Sequence, residues 1–332
     1  MTPEQASHCY HHFDNKQLMP YEVKELNVNP EDLEQLGTKE KFWFSYGNAQ
    51  EGDRRSIKWL FKYSRANTGE HWSEKIAEQM CKALFIPHAQ YDMACVNSRM
   101  GVVTPNIIPE TRRMVMGNEV LHKDSPAAYP DPEDQVKKIV RIKEHTINRV
   151  LGCLDKNNVQ PPDGWDNIEG LNAGDVFCGY LMLDALISNQ DRHHENWAIV
   201  IDLKTQEKYL CETYDHAASL GRELLDTERT ERMHTKDVNR RIISFVSKAR
   251  SELFKLKTDK KPMLTVDAFF TAVEKRETAK NHWLGRLKNL TDDKIVSIFD
   301  DVPDNVISDV ARTFALNMVL ENKKRLLTDE RA

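Results

Sequence analysis

The feature that most constrains the fold of this chain is a polar segment, Asp191–Asn196, set between a long helical pattern and two strand-like runs. Apolar residues recur at helical spacing from Val176 to Ile187, which predicts a helix that ends just before the polar segment. The segment is therefore expected to be a loop that leads from a buried helix into a hairpin.

The hairpin is predicted from the residues that follow this loop. Residues 197–201 and 209–211 have the composition of strands, and the polar residues 202–208 form a turn between them. In an antiparallel hairpin the start of one strand lies beside the end of the other, at a spacing of roughly 5 Å. We therefore expect Asn196 and Asp215 to lie close together.

Asp191, Asn196 and Asp215 are the residue types that phosphoryl transfer needs. This reaction requires a carboxylate near the attacking hydroxyl, and an Asn and an Asp that hold magnesium against the phosphates. Mg²⁺ is usually bound through one or two protein carboxylates plus phosphate oxygens, so two protein ligands are enough. Each residue alone is an ordinary turn former, but the three together predict a metal–nucleotide site.

These residues also match a known family. Residues 186–197 resemble the catalytic loop of HipA-like serine/threonine kinases, and residues 214–221 resemble their metal-binding segment. The Asp-Arg-His order separates this group from eukaryotic-type kinases, and the loop is distantly similar to that of phosphatidylinositol kinases. Residues 294–303 are similar to the C-terminal part of the stand-alone, CtkA-type members. The resemblance extends from about Lys58 to the terminal helix.

The resemblance implies an α+β fold of the bilobal protein-kinase type, with a small mixed β-sheet N-lobe and a larger, mostly helical C-lobe. We expect an N-terminal extension (1–36), an N-lobe (37–110) and a C-lobe (111–332). ATP and Mg²⁺ are the implied cofactors, with Asn196 and Asp215 as metal ligands. In the catalytic loop, the resemblance adds Arg192 and His193 to Asp191. His193 would hold the loop by hydrogen bonds, and Arg192 would support the phosphates or the loop backbone.

Asp184 and His194 also lie near the predicted catalytic loop in the sequence. Asp184 precedes Asp191 by seven residues on the predicted helix. It either holds the loop or bonds to nearby helix backbone. His194 has no evident partner in the sequence and receives no role.

A kinase also needs a strand lysine that holds the phosphates and pairs with a helix glutamate. Residues 57–63 predict a strand, on which Lys62 matches the nucleotide lysine of the family, with Lys58 as a weaker candidate. The next helix is predicted to start at a capping box of Asn67 and Glu70. Glu74 lies at the edge of its apolar stripe and is expected to turn toward Lys62, whereas Glu78 is expected to turn further out.

The phosphate loop and the hinge are less strongly marked. Residues 46–56 contain Gly47 and Gly52, whose backbone would approach the phosphates, but an ordinary hairpin loop would look the same. HipA-like kinases can autophosphorylate a serine in this loop, and Ser45 and Ser56 are the available acceptors. By resemblance, the strand at residues 100–108 leads to the hinge, where Asn106 and Ile107 would meet the adenine.

Composition excludes several classes of protein. With 332 residues, 40% apolar and 30% charged, the chain fits a globular protein of two lobes. It contains no stretch near the roughly 18 apolar residues of a membrane span, so no membrane association is expected. The start of the chain does not resemble a signal peptide, and the six scattered cysteines predict reduced thiols. We expect a cytoplasmic location, with a secreted-effector role left open.

The remaining patterns concern helices and partners. From residue 133 to Val150 the helical period predicts one helix. The cluster of His8, Cys9, His11 and His12 lacks a second ligand group, so it is interpreted as an exposed terminus. Residues 236–261 carry nine Lys or Arg against three acidic residues. This basic segment is either a docking surface for an acidic or nucleic-acid-associated substrate, or a solvated helix face.

The leading hypothesis is an ATP- and Mg²⁺-dependent protein serine/threonine kinase of the HipA-like type. Its partners would be a protein with a Ser or Thr hydroxyl and, by resemblance, an antitoxin-like protein. No helix-turn-helix pattern is evident, so direct sequence-specific DNA binding is not expected. One alternative is a kinase of lipids or small molecules. Another is a nucleotide-binding regulator or scaffold without turnover.

Overall fold

The structure is a computed structural model, and it describes residues 20–28, 40–45, 58–106, 108–132, 141–167 and 170–332. The predicted phosphate loop with Gly47, Gly52 and Ser56 lies outside the described residues. The same is true of Ile107 and of the N-terminal His and Cys cluster.

The N-terminal part is built on a five-stranded sheet with the order β1-β4-β5-β3-β2. β1 runs parallel to β4, and the other neighbours are antiparallel. Since β1 comes from residues that were expected to be an extension, part of that extension belongs to the sheet. The predicted strand that carries Lys62 is confirmed as β3. The strands are β1 (Val23–Glu25), β2 (Lys41–Ser45), β3 (Lys58–Tyr63), β4 (Asp92–Val96) and β5 (Arg99–Pro105).

Helix α1 (Glu70–Leu84) packs between this sheet and the C-terminal helices. Its apolar stripe is buried as expected, but the predicted capping box is wrong. The helix begins after Gly69, and the Glu70 carboxylate instead accepts a hydrogen bond from the Arg65 amide at 3.0 Å. Phe85, in the left-handed conformation, ends the helix.

The outward orientation expected for Glu78 on α1 is also wrong. Glu78 is buried, and its carboxylate pairs with Lys75 at 3.1 Å and with Lys82 at 2.6 Å. The physical reason is that α1 is covered on more than one side, so a residue away from the apolar stripe is still enclosed. The two lysines compensate the buried charge.

The second sheet opens the C-terminal part and has the order β6-β7-β8, with both pairs antiparallel. Its strands are β6 (Arg112–Met116), β7 (Ala198–Asp202) and β8 (Lys208–Leu210), and β7 and β8 confirm the predicted hairpin. The rest is helical, which confirms a mixed fold with a small N-terminal sheet. The helices are α2 (Gly117–Asp124), α3 (Ile147–Lys156), α4 (Ala173–Ile187), α5 (Asp226–His234), α6 (Ile242–Val246), α7 (Thr265–Val273), α8 (Glu277–Asn289), α9 (Asp292–Asp300) and α10 (Asp309–Thr328).

Helix α4 is the centre of the main core and confirms the predicted helix that precedes the catalytic loop. It contacts α1, α3, α7, α8 and α10, and almost all of its residues are buried. Its first turn has a capping box between Asn172 and Asp175. A helix enclosed in this way fixes the loop that leaves its C-terminus.

The single helix expected from residue 133 to Val150 is wrong in its second half. Residues 141–146 are not helical, and α3 begins only at Ile147. The hydroxyl of Thr146 accepts a hydrogen bond from the Arg149 amide at 3.3 Å and so caps the helix. The Thr146 cap therefore interrupts an apolar pattern that periodicity alone would continue.

Two further observations concern membranes and cysteines. Among the described residues, no helix is both long and apolar enough to cross a bilayer. Cys81, Cys95, Cys153, Cys178 and Cys211 are free thiols.

Candidate catalytic and nucleotide site

The loop after α4 is anchored by a buried ion pair between Asp184 and Arg192. The Arg192 Nε and Nη2 atoms each donate to the Asp184 carboxylate at 2.8 Å, and Nη1 donates to the Asn196 carbonyl at 2.7 Å. Asn189 Nδ2 also donates to Asp184 at 2.8 Å. Asp184 therefore holds the loop, which decides between the two roles considered for it.

Arg192 is wholly buried beneath the loop, so its expected catalytic role requires a correction. Its hydrogen bonds through Nε, Nη1 and Nη2 go to Asp184 and to the Asn196 carbonyl of the loop. A group enclosed in this way does not reach a phosphate. Of the two functions that the resemblance offered for Arg192, the structure shows support of the loop backbone.

Asn196 and Asp191 are joined across this loop. The Asn196 Nδ2 atom donates to the Asp191 carbonyl at 2.6 Å, and the Asn196 amide donates to the His193 carbonyl at 3.0 Å. Because the side-chain nitrogen is engaged, the amide oxygen is the atom of Asn196 that would serve as a metal ligand. The Asp191 side chain is 51% exposed, which leaves its carboxylate accessible to a substrate.

His193 lies at the exposed side of the loop. Its Nδ1 atom accepts a hydrogen bond from the Glu195 amide at 3.2 Å, and its Nε2 atom is 3.9 Å from the Asp191 carboxylate. The ring therefore contacts both the loop backbone and the acidic residue. These contacts fit the stabilising role that the resemblance gives to His193.

Asp215 lies opposite Lys62, and the two form an ion pair with Nζ and Oδ1 3.8 Å apart. Asp215 adopts the left-handed conformation (φ 58°), which Asp and Asn tolerate better than most residues. Its amide donates to the hydroxyl of the buried Tyr91 at 3.3 Å, and the Lys62 Nζ lies 5.9 Å from the centre of the Tyr91 ring. The predicted nucleotide lysine and metal ligand thus share one site.

Glu74 does not form the expected pair with Lys62. Its carboxylate instead accepts hydrogen bonds from the amide and from the ring Nδ1 of His216, at 2.8 and 3.1 Å. The His216 Nε2 atom lies 2.8 Å from the Thr213 hydroxyl. The expected pair does not form because Lys62 pairs with Asp215, and His216, the next residue, donates to the Glu74 carboxylate on α1.

The loop and the metal-binding segment meet through Tyr214. Its hydroxyl donates to the Glu195 carbonyl at 2.8 Å, and the Gln190 amide donates to the Ala218 carbonyl at 3.3 Å. The residues immediately before Asn196 and Asp215 are therefore in contact, as the hairpin geometry predicts. Asn106, the predicted hinge residue, directly follows β5, and its amide donates to the Lys58 carbonyl at 2.7 Å.

Two histidines, the half-buried His194 and the buried His145, contact residues that flank the loop. The Nδ1 atom of His194, a residue without a predicted role, lies 2.6 Å from the Tyr129 hydroxyl, and partial burial lowers the pKa of His194 to about 4. The Nε2 atom of His145 accepts from the Trp197 indole at 3.2 Å, and burial lowers the pKa of His145 to about 3. Both rings are therefore neutral at pH 7.

The oxygen donors of this site fit a small hard cation. Asp215 offers a carboxylate and Asn196 an amide oxygen, which is the donor set that Mg²⁺ uses beside phosphate oxygens. Within the described ranges, no group of three or more His, Cys, Asp or Glu side chains is placed to hold a metal. A site completed by nucleotide phosphates does not require such a group.

Comparison with solved structures identifies the fold. The proinflammatory kinase CtkA of Helicobacter pylori superposes with a TM-score of 0.64 at 15% identity, covering 92% of this chain and 96% of that chain. HipA of Shewanella oneidensis MR-1, solved in a toxin–antitoxin complex with HipB and operator DNA, superposes with a TM-score of 0.53 at 11% identity, covering 90% of this chain and 65% of that chain.

The chain has the HipA-like kinase fold. This confirms the family resemblance of the catalytic loop at the level of structure. No protein-family model matches the sequence, and no curated protein matches it. The HipA-like fold is therefore recognised here through shape and a few short motifs.

Sequence reasoning missed several residues of this HipA-like site. Tyr91, which accepts from the Asp215 amide, carries no sequence signal. Tyr214 and His216 belong to the segment 214–221 that the resemblance identified, but their individual contacts were not predicted. Asn322 is another: from α10 its Nδ2 atom donates to the Leu186 carbonyl at 3.0 Å and to the Ser188 hydroxyl at 2.8 Å. The available signal for Asn322 was a single polar residue within an apolar helix stripe.

Proposed function

We propose that this protein is an ATP- and Mg²⁺-dependent protein serine/threonine kinase of the HipA-like type. The observation that carries the proposal is the 3.8 Å ion pair between Lys62 and Asp215, beside a loop that presents Asp191. A cation and a carboxylate held at this spacing provide one group for nucleotide phosphates and one for magnesium. The HipA-like fold supports the same conclusion.

Each residue of the site has its own role in this proposal. Asp191 orients the acceptor hydroxyl and takes up its proton, Asn196 and Asp215 hold Mg²⁺, and Lys62 contacts the α- and β-phosphates. Bound Mg²⁺ neutralises charge that accumulates on the phosphate oxygens. Arg192 and Asp184 keep the Asp191 backbone in place. The proposed domains are an N-terminal extension (1–36) that contributes β1 to the sheet, an N-lobe (37–110) and a C-lobe (111–332).

The remaining nucleotide contacts are also part of the proposal. The backbone of the loop with Gly47 and Gly52 would approach the phosphates, and Asn106 and Ile107 would meet the adenine. Ser45, exposed at the end of β2, and Ser56 are the proposed autophosphorylation acceptors. Mass spectrometry after incubation with ATP and Mg²⁺ would locate any modified serine directly.

The decisive experiment is transfer of labelled γ-phosphate from ATP to the protein itself and to a mixed protein substrate. Asp191→Asn is run beside wild type, and nucleotide binding is measured for both by calorimetry. We expect label with wild type only and similar ATP affinity for the two proteins. Binding without transfer to proteins in either sample would favour a scaffold, and transfer to added lipids or small hydroxyl compounds would favour the other kinase class.

An antitoxin-like partner is a further part of the proposal. It is supported by HipA of Shewanella oneidensis MR-1, whose solved complex contains HipB. A toxin role predicts that expression in a bacterial host slows growth and that Asp191→Asn relieves the effect. Equal growth with the two proteins would argue against this role.

A further inference from the structure

A cavity of about 530 Å³ lies between the catalytic loop and the basic segment. Ser188 and Gln190 line the cavity on the side of the loop, and Ala218, Ser219 and Gly221 form part of its wall. Gln190 directly precedes Asp191, whose Cα atom is therefore about 3.8 Å from that of Gln190. A group that enters this cavity therefore contacts the residue that directly precedes Asp191 in the catalytic loop.

The cavity wall carries an excess of positive charge. Arg232, Arg240 and Lys248 line it, together with one acidic residue, Glu223. Arg240 is paired with Glu231 at 2.6 Å, and Glu223 lies 3.9 Å from the Nε atom of Arg222. Arg232 and Lys248 are therefore the two cations of the wall that these pairs do not include.

Neither Arg232 nor Lys248 has a carboxylate partner among the residues that the structure describes. The Arg232 Nη1 atom donates to the Arg240 carbonyl at 3.3 Å, and the Lys248 Nζ donates to the Asn239 carbonyl at 3.4 Å. Within the described part of the chain, the enclosed Nε atom of Arg232 has no hydrogen-bond partner. The guanidinium carbon lies 4.7 Å from the centre of the Phe245 ring.

A cationic wall of this kind selects for an oxyanion. Charge-assisted hydrogen bonds from Arg or Lys to an oxyanion are stronger than the bonds to backbone carbonyls that Arg232 and Lys248 make here. Arginine binds carboxylate and phosphate groups with its planar fork, and lysine adds a mobile charge. The ligand is therefore expected to carry a carboxylate or a phosphate group.

We propose that this cavity binds an acidic or phosphorylated side chain of the phosphoacceptor protein, close in sequence to the Ser or Thr that is modified. The inference rests on the proposed kinase function and adds the substrate determinant. It assigns Lys248 of the basic segment, together with Arg232, to substrate docking. The solvated-face interpretation still describes Lys257 and Lys260, which are exposed and do not line the cavity.

The test uses fluorescent peptides that contain one serine and, at successive positions around it, glutamate, phosphoserine or glutamine. Binding is measured by anisotropy without ATP, and transfer from ATP to the same peptides is measured separately. The variants are Arg232→Gln with Lys248→Gln, the exposed Lys248→Gln alone, and the charge-matched control Lys257→Gln with Lys260→Gln. Comparison of glutamate with phosphoserine peptides identifies which oxyanion is preferred.

We expect wild type and the control to bind at least one anionic peptide about tenfold tighter than its glutamine counterpart. The double cavity variant should lose this preference, and Lys248→Gln should reduce it. Equal affinities in wild type, or an undiminished preference in Lys248→Gln and the double variant, would overturn the inference. Anionic preference without transfer would reject the kinase proposal alone, and transfer without preference would reject the cavity alone.

Discussion

The Glu74 carboxylate accepts two hydrogen bonds from His216, one from its amide at 2.8 Å and one from its ring at 3.1 Å. Both residues are buried. Helix α1 is thereby tied to the residue that follows Asp215, while β3 reaches Asp215 itself through Lys62. The helix glutamate and the strand lysine therefore act on one segment from two elements, and a shift of α1 would move the proposed metal ligand.

This link predicts that Glu74→Ala weakens magnesium-dependent nucleotide binding. The substitution leaves the His216 amide buried without its acceptor, which costs about 1–3 kcal/mol of stability. Glu74→Gln keeps an acceptor oxygen and should restore most of the binding. The measurement is ATP affinity by calorimetry over a range of Mg²⁺ concentrations, with urea unfolding alongside. Identical Mg²⁺ dependence in Glu74→Ala and wild type would contradict the link.

Lys62→Ala should raise the KM for ATP and reduce turnover. The reason is the loss of the cation that faces Asp215 and, in the proposed function, the phosphates. Lys58→Ala is the matched control, since Lys58 stands on the same strand and is exposed. Steady-state kinetics with varied ATP would separate the two. A larger effect for Lys58→Ala would transfer the role to that residue.

Asp184→Asn should strongly destabilise the protein. It leaves Arg192 buried without its counter-charge, and breaking a buried pair in this way typically costs 3–5 kcal/mol. Asp292→Asn is the control, since its partner Lys323 lies 2.6 Å away but the Asp292 side chain is 68% exposed, so a change of about 1 kcal/mol or less is expected. Urea unfolding of both variants gives the comparison. A similar small loss in the two would show that the buried pair is not required.

Much of the site could be predicted from local sequence patterns. The periodicity before Ser188 correctly predicts α4 and the start of the loop, and the strand–turn–strand pattern correctly predicts the hairpin. These features are encoded within about ten residues of the site. The kinase-like fold came from the family resemblance, because helical and strand periods do not specify how elements are arranged.

The errors concern partners that are distant in sequence or hidden by packing. Glu74 is 142 residues from His216, and Asn322 is 136 residues from Leu186, so no local pattern predicts either contact. Glu78 was placed outward because a single stripe cannot show that α1 is covered on several sides. Arg192 donates to Asp184 on the preceding helix, and the turn between them contains Ser188 in the left-handed conformation (φ 54°), which helical periodicity does not predict.

The last prediction concerns pH. Unfolding releases His145 from a site where burial lowers its pKa to about 3, toward the ordinary value near 6.5. Below pH 6.5 the unfolded chain therefore binds a proton that the folded protein does not. The stability contributed by neutral His145 is complete above that pH and is lost as pH falls toward 3. Between pH 7 and pH 5 the loss is about 2 kcal/mol for this one group.

His145→Gln removes this titration while it keeps the hydrogen bonds. The amide oxygen of glutamine can accept from the Trp197 indole, and its nitrogen can donate to the Glu252 carbonyl, which lies 3.2 Å from the His145 Nδ1 atom. We expect the variant to be less stable than wild type at pH 7, and the difference to shrink by about 2 kcal/mol at pH 5. Urea unfolding at both pH values measures it, with the exposed His234→Gln as control. Parallel losses in wild type and His145→Gln would show that another group carries the acid sensitivity.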